Sequence, residues 1–286
     1  MPDAPANHEQ IRYWNEQSGP RWVKYQQRLD TQLEHLGLTA MQRAQVKPEE
    51  HVLDVGCGCG QTALELAERV GPHGSVLGID ISQPMLARAQ DRRDEIRVAN
   101  LQFLHADAQT YPFDRERFDL IFSRFGVMFF DDPQAAFHNL CTALRPSGRL
   151  CFICWQVLEK NDWVRVPLRA VSQYVQLPAP SSPHAPGPFA LADPDHVRRL
   201  LEAAGFSGPR IESYETQLNL GGARNIDEAV EFTLEIGPVA TPLREADAPA
   251  RVRAIEAIRE ALIPHTNPDG IRLGGAVWLV SAQRER

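Results

Sequence analysis

The 286-residue chain has no stretch approaching the roughly 20 apolar residues needed to cross a bilayer, so no membrane span is expected. It also lacks a dense basic run: 30 Lys and Arg stand against 37 Asp and Glu, a formal charge of −7. Proteins that bind phosphate backbones carry a basic face, so neither nucleic acid nor an anionic membrane is an expected partner. Met1 to Gln10 shows no basic stretch followed by an apolar core, and no signal peptide is expected. Cysteine is scarce, with five residues, an odd number, all between Cys57 and Cys154. That argues against a disulfide framework and for reduced thiols in a cytoplasmic protein.

The cysteine spacings offer little to a metal. Cys57 and Cys59 lie in a glycine loop with no second pair of ligands nearby in sequence. Cys151 and Cys154 have a C-x-x-C spacing, but Leu150 to Trp155 reads as a buried strand, on which residues three apart point to opposite faces. Neither a metal site nor a dithiol is expected. No internal repeat is visible.

What is present is enough for a full core: 43% of the residues are hydrophobic, and the length suits one elaborated α/β domain. Ile11 to Val46 has helical periodicity, which Gly19-Pro20 is expected to break into two helices. From His51 the pattern alternates. Strands are expected at His51–Val55, Ser75–Asp80, Leu101–His105, Phe118–Ser123 and Gly148–Trp155. Helices are expected at Gln61–Val70, Pro84–Arg93 with Ser82 as N-cap, and from Asp132-Pro133 to Leu144. Such alternation means βαβ units and a parallel sheet covered on both faces.

After Gln156 the regularity lapses. Five prolines between Pro178 and Pro188 read as an ordered lid or connection. A helix is expected from Asp193-Pro194 to Ala204, closed by Gly205. Helices near Ile226–Glu235 and Ala250–Leu262 separate strands at Arg210–Tyr214 and Ala276–Val280.

The chemistry is concentrated in Val52-Leu-Asp-Val-Gly-Cys-Gly-Cys-Gly60, where a strand delivers a Gly-x-Gly-x-Gly loop straight into a helix. Glycine lets backbone approach a ligand without an intervening Cβ, and the helix N-terminus offers unpaired N–H groups. Asp80 ends the next strand, 20 residues after Gly60, where a carboxylate can accept both hydroxyls of a ribose. It is expected to face the ligand cleft and to add little to stability.

These stretches, with Gly78-Ile-Asp-Ile-Ser82, Ala106-Asp-Ala108 and Phe118-Asp-Leu-Ile-Phe-Ser123, fall in the order of the class I S-adenosylmethionine-dependent methyltransferases. Within these, the sequence resembles the ubiquinone/menaquinone-biosynthesis type over residues 46 to 156, about two fifths of the chain. The resemblance implies a Rossmann-like, doubly wound seven-stranded sheet with its last strand antiparallel. It implies S-adenosyl-L-methionine as cofactor, its methionine part held by Asp54 and the backbone of Gly56, Cys57 and Gly58, with Gly60 also counted as cofactor-binding. Asp80 would take the ribose, with Ile81 and Met85 beside the adenine. Asp107 would accept from the adenine amino group, with Ala108 adjacent. Ser123, Arg124 and Phe125 would lie beside the sulfonium and the acceptor. The long helical segment from Asn225 to Leu262 departs from the quinone-methylating enzymes.

The expected organisation is an N-terminal helical lid over residues 1–45 and a methyltransferase domain over 46–286, with a connection at 157–192 and a helical insertion at 225–263. Trp14, Trp22, Tyr25, Met128, Trp155 and Trp163 are candidates for a hydrophobic acceptor pocket. Methyl transfer by in-line displacement needs alignment more than acid–base help. Asp131 and His138 are weak candidates for a base, with capping and an ordinary helix face the plainer accounts. The partner expected is a small molecule, with a homodimer left open. Two rival readings are an inactive cofactor-binding subunit and a nicotinamide-dependent oxidoreductase. The latter needs a glycine where Gln61 stands.

Overall fold

The computed structural model describes residues 6–177 and 182–285. Pro178 and Pro180 of the expected proline-rich connection therefore lie outside the described residues. The chain begins with α1 (His8–Arg12), a π-helical turn (Tyr13–Gln17), α2 (Ser18–Lys24) and α3 (Gln26–Ala44). It then enters the sheet through β1 (His51–Val55), α4 (Gln61–Val70), β2 (Ser75–Asp80), α5 (Gln83–Ile96) and β3 (Leu101–His105). Next come β4 (Phe118–Arg124), α6 (Pro133–Ala143), β5 (Leu144–Trp155), α7 (Asp162–Val171) and α8 (Pro194–Ala203). Last are β6 (Phe206–Asn219), α9 (Ile226–Glu235), α10 (Ala240–Glu245), α11 (Ala248–Leu262), β7 (Thr266–Asn267) and β8 (Gly270–Arg284).

The strands lie in the order β3-β2-β1-β4-β5-β8-β6. β1 to β5 are parallel, and β8 runs antiparallel between β5 and β6. This is the doubly wound α/β sheet with an antiparallel last strand. The two-residue β7, paired with β8, adds an eighth strand to the expected seven. Val52, Leu53, Leu120, Ile121 and Phe122 are fully buried, as the central strands of a sheet covered on both faces must be. Asp132, Asp193, Asn225 and Asp247 each accept a backbone N–H at a helix N-terminus, fixing where α6, α8, α9 and α11 begin. The strand order reverses between β1 and β4, and the crevice at their carboxyl ends is where such folds bind ligands.

The structure corrects several details. Gly19-Pro20 does not break the N-terminal helices. Pro20 falls in the first turn of α2, where a missing N–H is tolerated, and the break comes at Tyr25 (φ −103°, ψ 18°). A side chain at Gly19 would come within 2.0 Å of the Trp14 carbonyl, so close approach and not chain breaking explains that glycine. Ser82 flanks α5 without capping it, because its hydroxyl donates to the Trp14 carbonyl at 2.8 Å. α7 and the short α10 went unseen, each with a proline inside its span (Pro167, Pro242) that interrupts the apolar period. β6 and β8 are far longer than their apolar centres suggested, since they pair along 12 registered positions that include many polar residues.

Two hydrophobic cores result. One lies around the sheet; the other gathers α7, α9 and α11 with Leu220, Ile271 and Leu273. α3 joins them, placing Leu33, Leu36, Ala40 and Met41 in the first and Leu29 in the second. On the insertion side, Gln32 accepts from the Gly221 N–H at 2.7 Å, and Arg28 donates to the Gly221 and Glu228 carbonyls at 2.9 and 2.6 Å. Asn161, fully buried, ties α7 to the sheet: it donates to the Gln156 and Val157 carbonyls and accepts from the Ala276 N–H and the Trp163 indole. Asn161→Ala leaves those groups unpaired and should cost about 2–4 kcal/mol in urea unfolding. A loss below about 0.5 kcal/mol would show that these bonds are dispensable.

Candidate active site

Three loops at the carboxyl ends of β1, β2 and β3 converge on one cavity of about 580 Å³. That size lies within the range of roughly 300–1,000 Å³ usual for ligand sites. The first loop follows β1. Gly56 has φ +69°, and a Cβ there would meet the Gly126 Cα at 2.6 Å, so the β1 and β4 loops are in backbone contact. Gly58 has φ +56° and faces the cavity; a Cβ on it would crowd only the mobile end of Met85. Gly60 is turned the other way, against Ala89 of α5, and does not line the cavity.

Asp80 holds the first loop to the second. Its two carboxylate oxygens accept from the Gly58 N–H and the Ser82 N–H, both at 2.8 Å. Burial pushes its carboxyl above the ordinary range, opposed by these amides. Each oxygen keeps a lone pair, so Asp80 can order the loops and still accept from a ligand. Its structural share is larger than sequence reasoning allowed.

Asp54 stands just behind the cavity wall, fully buried, next to lining residue Thr62, whose hydroxyl donates to its Oδ2 at 2.6 Å. Its Oδ1 has no partner. Burial pushes its carboxyl up to about 7, against the Thr62 hydrogen bond and the field of Arg124. Arg124, at the end of β4, donates one hydrogen bond, to the Gln61 amide oxygen, and otherwise faces the cavity near Asp30 and Asp54. A guanidinium with spare donors thus sits beside a carboxylate with a spare acceptor, a pair suited to a ligand bearing both charges.

At the third loop, Asp107 accepts from the Gln109 N–H at 2.9 Å and from the Asn7 side-chain amide at 2.8 Å. Ile81, Met85 and Ala108 line the same end.

The other half of the cavity is aromatic. Phe125 stacks on Trp155 with centroids 4.3 Å apart, Trp155 meets Trp163 at 4.8 Å, and Trp14 meets Trp22 and Phe129 edge-on at 5.7 and 5.1 Å. Phe125 adopts φ +64°, a left-handed conformation that a bulky residue keeps only where its surroundings hold it. Met128, Pro186 to Phe189, and Ile236 to Pro238 between α9 and α10 complete the wall. The connection and the insertion therefore both reach the cavity.

Most of the anticipated residues meet here: Gly56, Cys57, Gly58, Asp80, Ile81, Met85, Asp107, Ala108, Arg124, Phe125, Trp14, Trp22, Met128, Trp155 and Trp163. Four do not line it. Asp54 lies behind the wall and Gly60 under α5. Ser123 is fully buried and bonds the Val55 carbonyl and the Gly126 N–H, tying β4 to β1. Tyr25 packs on Phe232 in the second core. His138 is exposed on α6, and the exposed Asp131 meets Asn7 through its backbone, so neither reaches a ligand here. Cys151 and Cys154 do point to opposite faces, towards Ala40 and Leu191. Burial pushes the Cys59 and Cys151 thiols up to about 12. Sequence reasoning missed Asn7, Gln26, Asp30 and Gln32. Gln26, Asp30 and Gln32 are polar residues of α3, Asn7 precedes α1, and no local pattern marks any of them as facing a cavity.

Residues 52–148 match the family described as a methyltransferase domain. The demethylmenaquinone methyltransferase of Oceanobacillus iheyensis is 30% identical over 113 residues, covering 40% of this chain and 48% of that protein. The ubiquinone/menaquinone biosynthesis C-methyltransferase UbiE of Serratia proteamaculans is 29% identical over 197 residues, 68% of this chain and 73% of that one. Among solved structures, phosphoethanolamine N-methyltransferase 2 of Haemonchus contortus, complexed with phosphomonomethylethanolamine and S-adenosylhomocysteine, superposes with a TM-score of 0.55. It is 20% identical, and the match covers 88% of this chain and 53% of that one. That likeness is one of fold. The chain spans about half the length of the demethylmenaquinone methyltransferases it matches.

Asp80→Ala removes the acceptor shared by two loop amides. It should lower unfolding stability by about 2–3 kcal/mol without any ligand present. Unchanged stability in urea would mean that Asp80 serves only a ligand.

Proposed function

We propose that the chain is a class I, S-adenosylmethionine-dependent methyltransferase and that it methylates a small, apolar, ring-containing acceptor. One observation carries this reading: the glycine loop, Asp80 and Asp107 open onto the same cavity as a wall of tryptophan and phenylalanine. A polar half shaped by loops and an aromatic half shaped by helices suit a nucleotide-bearing cofactor and an apolar second substrate.

The residues present fit S-adenosyl-L-methionine. The unpartnered Oδ1 of Asp54 suits the ammonium of its methionine part, and the spare donors of Arg124 suit the carboxylate. Asp80 keeps acceptors for the ribose, and Asp107 for the adenine amino group. When bound, the sulfonium supplies the methyl group as an electrophile. The protein's share is to align and enclose. Phe125, Trp155 and Trp163, packed on one another, form an apolar wall for an acceptor ring, and the N-terminal helices with Pro186 to Phe189 keep water out.

No histidine or lysine lines the cavity among the described residues. Asp30 pairs with Arg92, Asp80 with two amides, and Asp107 with Asn7 and Gln109. With Asp80 and Asp107 assigned to the cofactor and Asp30 to Arg92, the reading takes an acceptor whose nucleophile needs no base. The five free, buried thiols fit a cytoplasmic setting, and the −7 charge fits a partner other than nucleic acid. No helix among the described residues is long and apolar enough to cross a membrane. The relatives favour neither the nicotinamide reading nor that of an inactive subunit.

The test is transfer of labelled methyl groups from S-adenosylmethionine into apolar ring compounds, with Trp155→Ala as control. Label should enter at least one ring compound, at least tenfold less with the variant while cofactor binding persists. Transfer confined to charged, non-aromatic acceptors would refute the acceptor class.

A further inference from the structure

The N-terminal helical segment is stitched to all three cofactor loops, and each stitch comes from a different side chain. Asp30 of α3 pairs with Arg92 at 3.0 Å, and Arg92 donates to the Cys59 carbonyl of the glycine loop at 2.8 Å. Asn15 donates to the Ile81 carbonyl at 2.8 Å and accepts from the Gln83 N–H at 2.9 Å, while Ser82 donates to the Trp14 carbonyl. The third stitch is Asn7. Its Nδ2 donates to Asp107 Oδ2 at 2.8 Å and to Gln109 Oε1 at 3.3 Å, and its Oδ1 accepts from the Asp131 N–H at 2.6 Å. Asn7 is 4% exposed and left-handed at φ +56°, a conformation asparagine tolerates better than most residues.

We propose that Asn7 is a positioning residue that latches the N-terminal segment onto Asp107 and so sets how long the cofactor stays bound. Three features single it out. Among the described residues it is the first of the stitches in chain order, set just ahead of α1. It bonds the carboxylate assigned to the adenine amino group, on one oxygen only, so a second amine can still share Asp107. It also bridges the loops after β3 and β4, which no other stitch among the described residues does. Closing the lid and orienting the adenine acceptor are thus one event. A cofactor that uses Asp107 leaves only after Asn7 lets go. This rests on the methyltransferase reading, and its test separates the two.

The test has two arms on the full chain. In cofactor-free protein, Asn7→Ala should speed amide hydrogen exchange across residues 8–17. Asp107→Ala should do the same, and the double variant should add nothing. With S-adenosylhomocysteine as probe, Asn7→Ala should release it about tenfold faster, as loss of a charge-assisted bond implies. Asn7→Asp, which sets like charges together, should release it faster still at pH 8. Unchanged exchange in Asn7→Ala overturns the latch. Faster exchange with an unchanged release rate overturns its control of the cofactor. Wild-type protein that does not bind S-adenosylhomocysteine overturns the methyltransferase reading and the cofactor half of this proposal, and the exchange arm then decides the latch by itself.

Discussion

The geometry of the site depends on one carboxylate. Asp80 sits where β2 ends and accepts from amides on two different loops, so the turn after β1 and the turn before α5 cannot move apart without leaving a buried anion unpaired. The glycine conformations at Gly56 and Gly58 serve that contact as much as any ligand: they bring the Gly58 N–H round to the Asp80 oxygen. Loop shape, ligand access and the charge at the crevice are therefore set together. Asp54 carries the complementary strain. It is held buried with one oxygen unpaired, a state that disfavours its ionised form and that a cationic group alongside would relieve.

Around this fixed centre the variable parts divide the work. The sheet supplies loops; the N-terminal helices, the connection after α7 and the insertion between β6 and β8 supply walls. α3 makes these parts one structure, since it packs on the sheet, reaches the glycine loop through Asp30 and Arg92, and grips the insertion through Arg28 and Gln32. The aromatic wall then draws its residues from four separate stretches, so its shape is a property of the whole assembly.

That division also decides what could be read from sequence. The glycine loop and Asp80 were legible because their chemistry is local: a strand, a sharp turn and a carboxylate at the next strand end recur at near-fixed spacing. The β1–β5 alternation was legible for the same reason. Asn7 and Gln32 were not, because each acts on a partner about 100 or more positions away, Asn7 on Asp107 and Gln32 on Gly221, and nothing local marks them. Tyr25 and Trp22 lie three residues apart on similar apolar patterns, yet only Trp22 lines the cavity, because the break at Tyr25 turns that ring into the second core. Ser123 looked like a ligand neighbour, but its hydroxyl is spent between β1 and β4. Pro167 hid α7, which carries Trp163 into the cavity wall.

The central proposal is that this crevice holds S-adenosylmethionine and that an ionised Asp54 attracts its ammonium. Burial raises the Asp54 carboxyl to about 7, so the form that attracts the cofactor dominates above that pH and is lost as pH falls below it. Calorimetric titration with S-adenosylhomocysteine at pH 8 and pH 6, with NADH in parallel, measures this directly. The account predicts micromolar-range binding of S-adenosylhomocysteine at pH 8, weakened about tenfold at pH 6, and no binding of NADH. Tight NADH binding with no response to S-adenosylhomocysteine would contradict it.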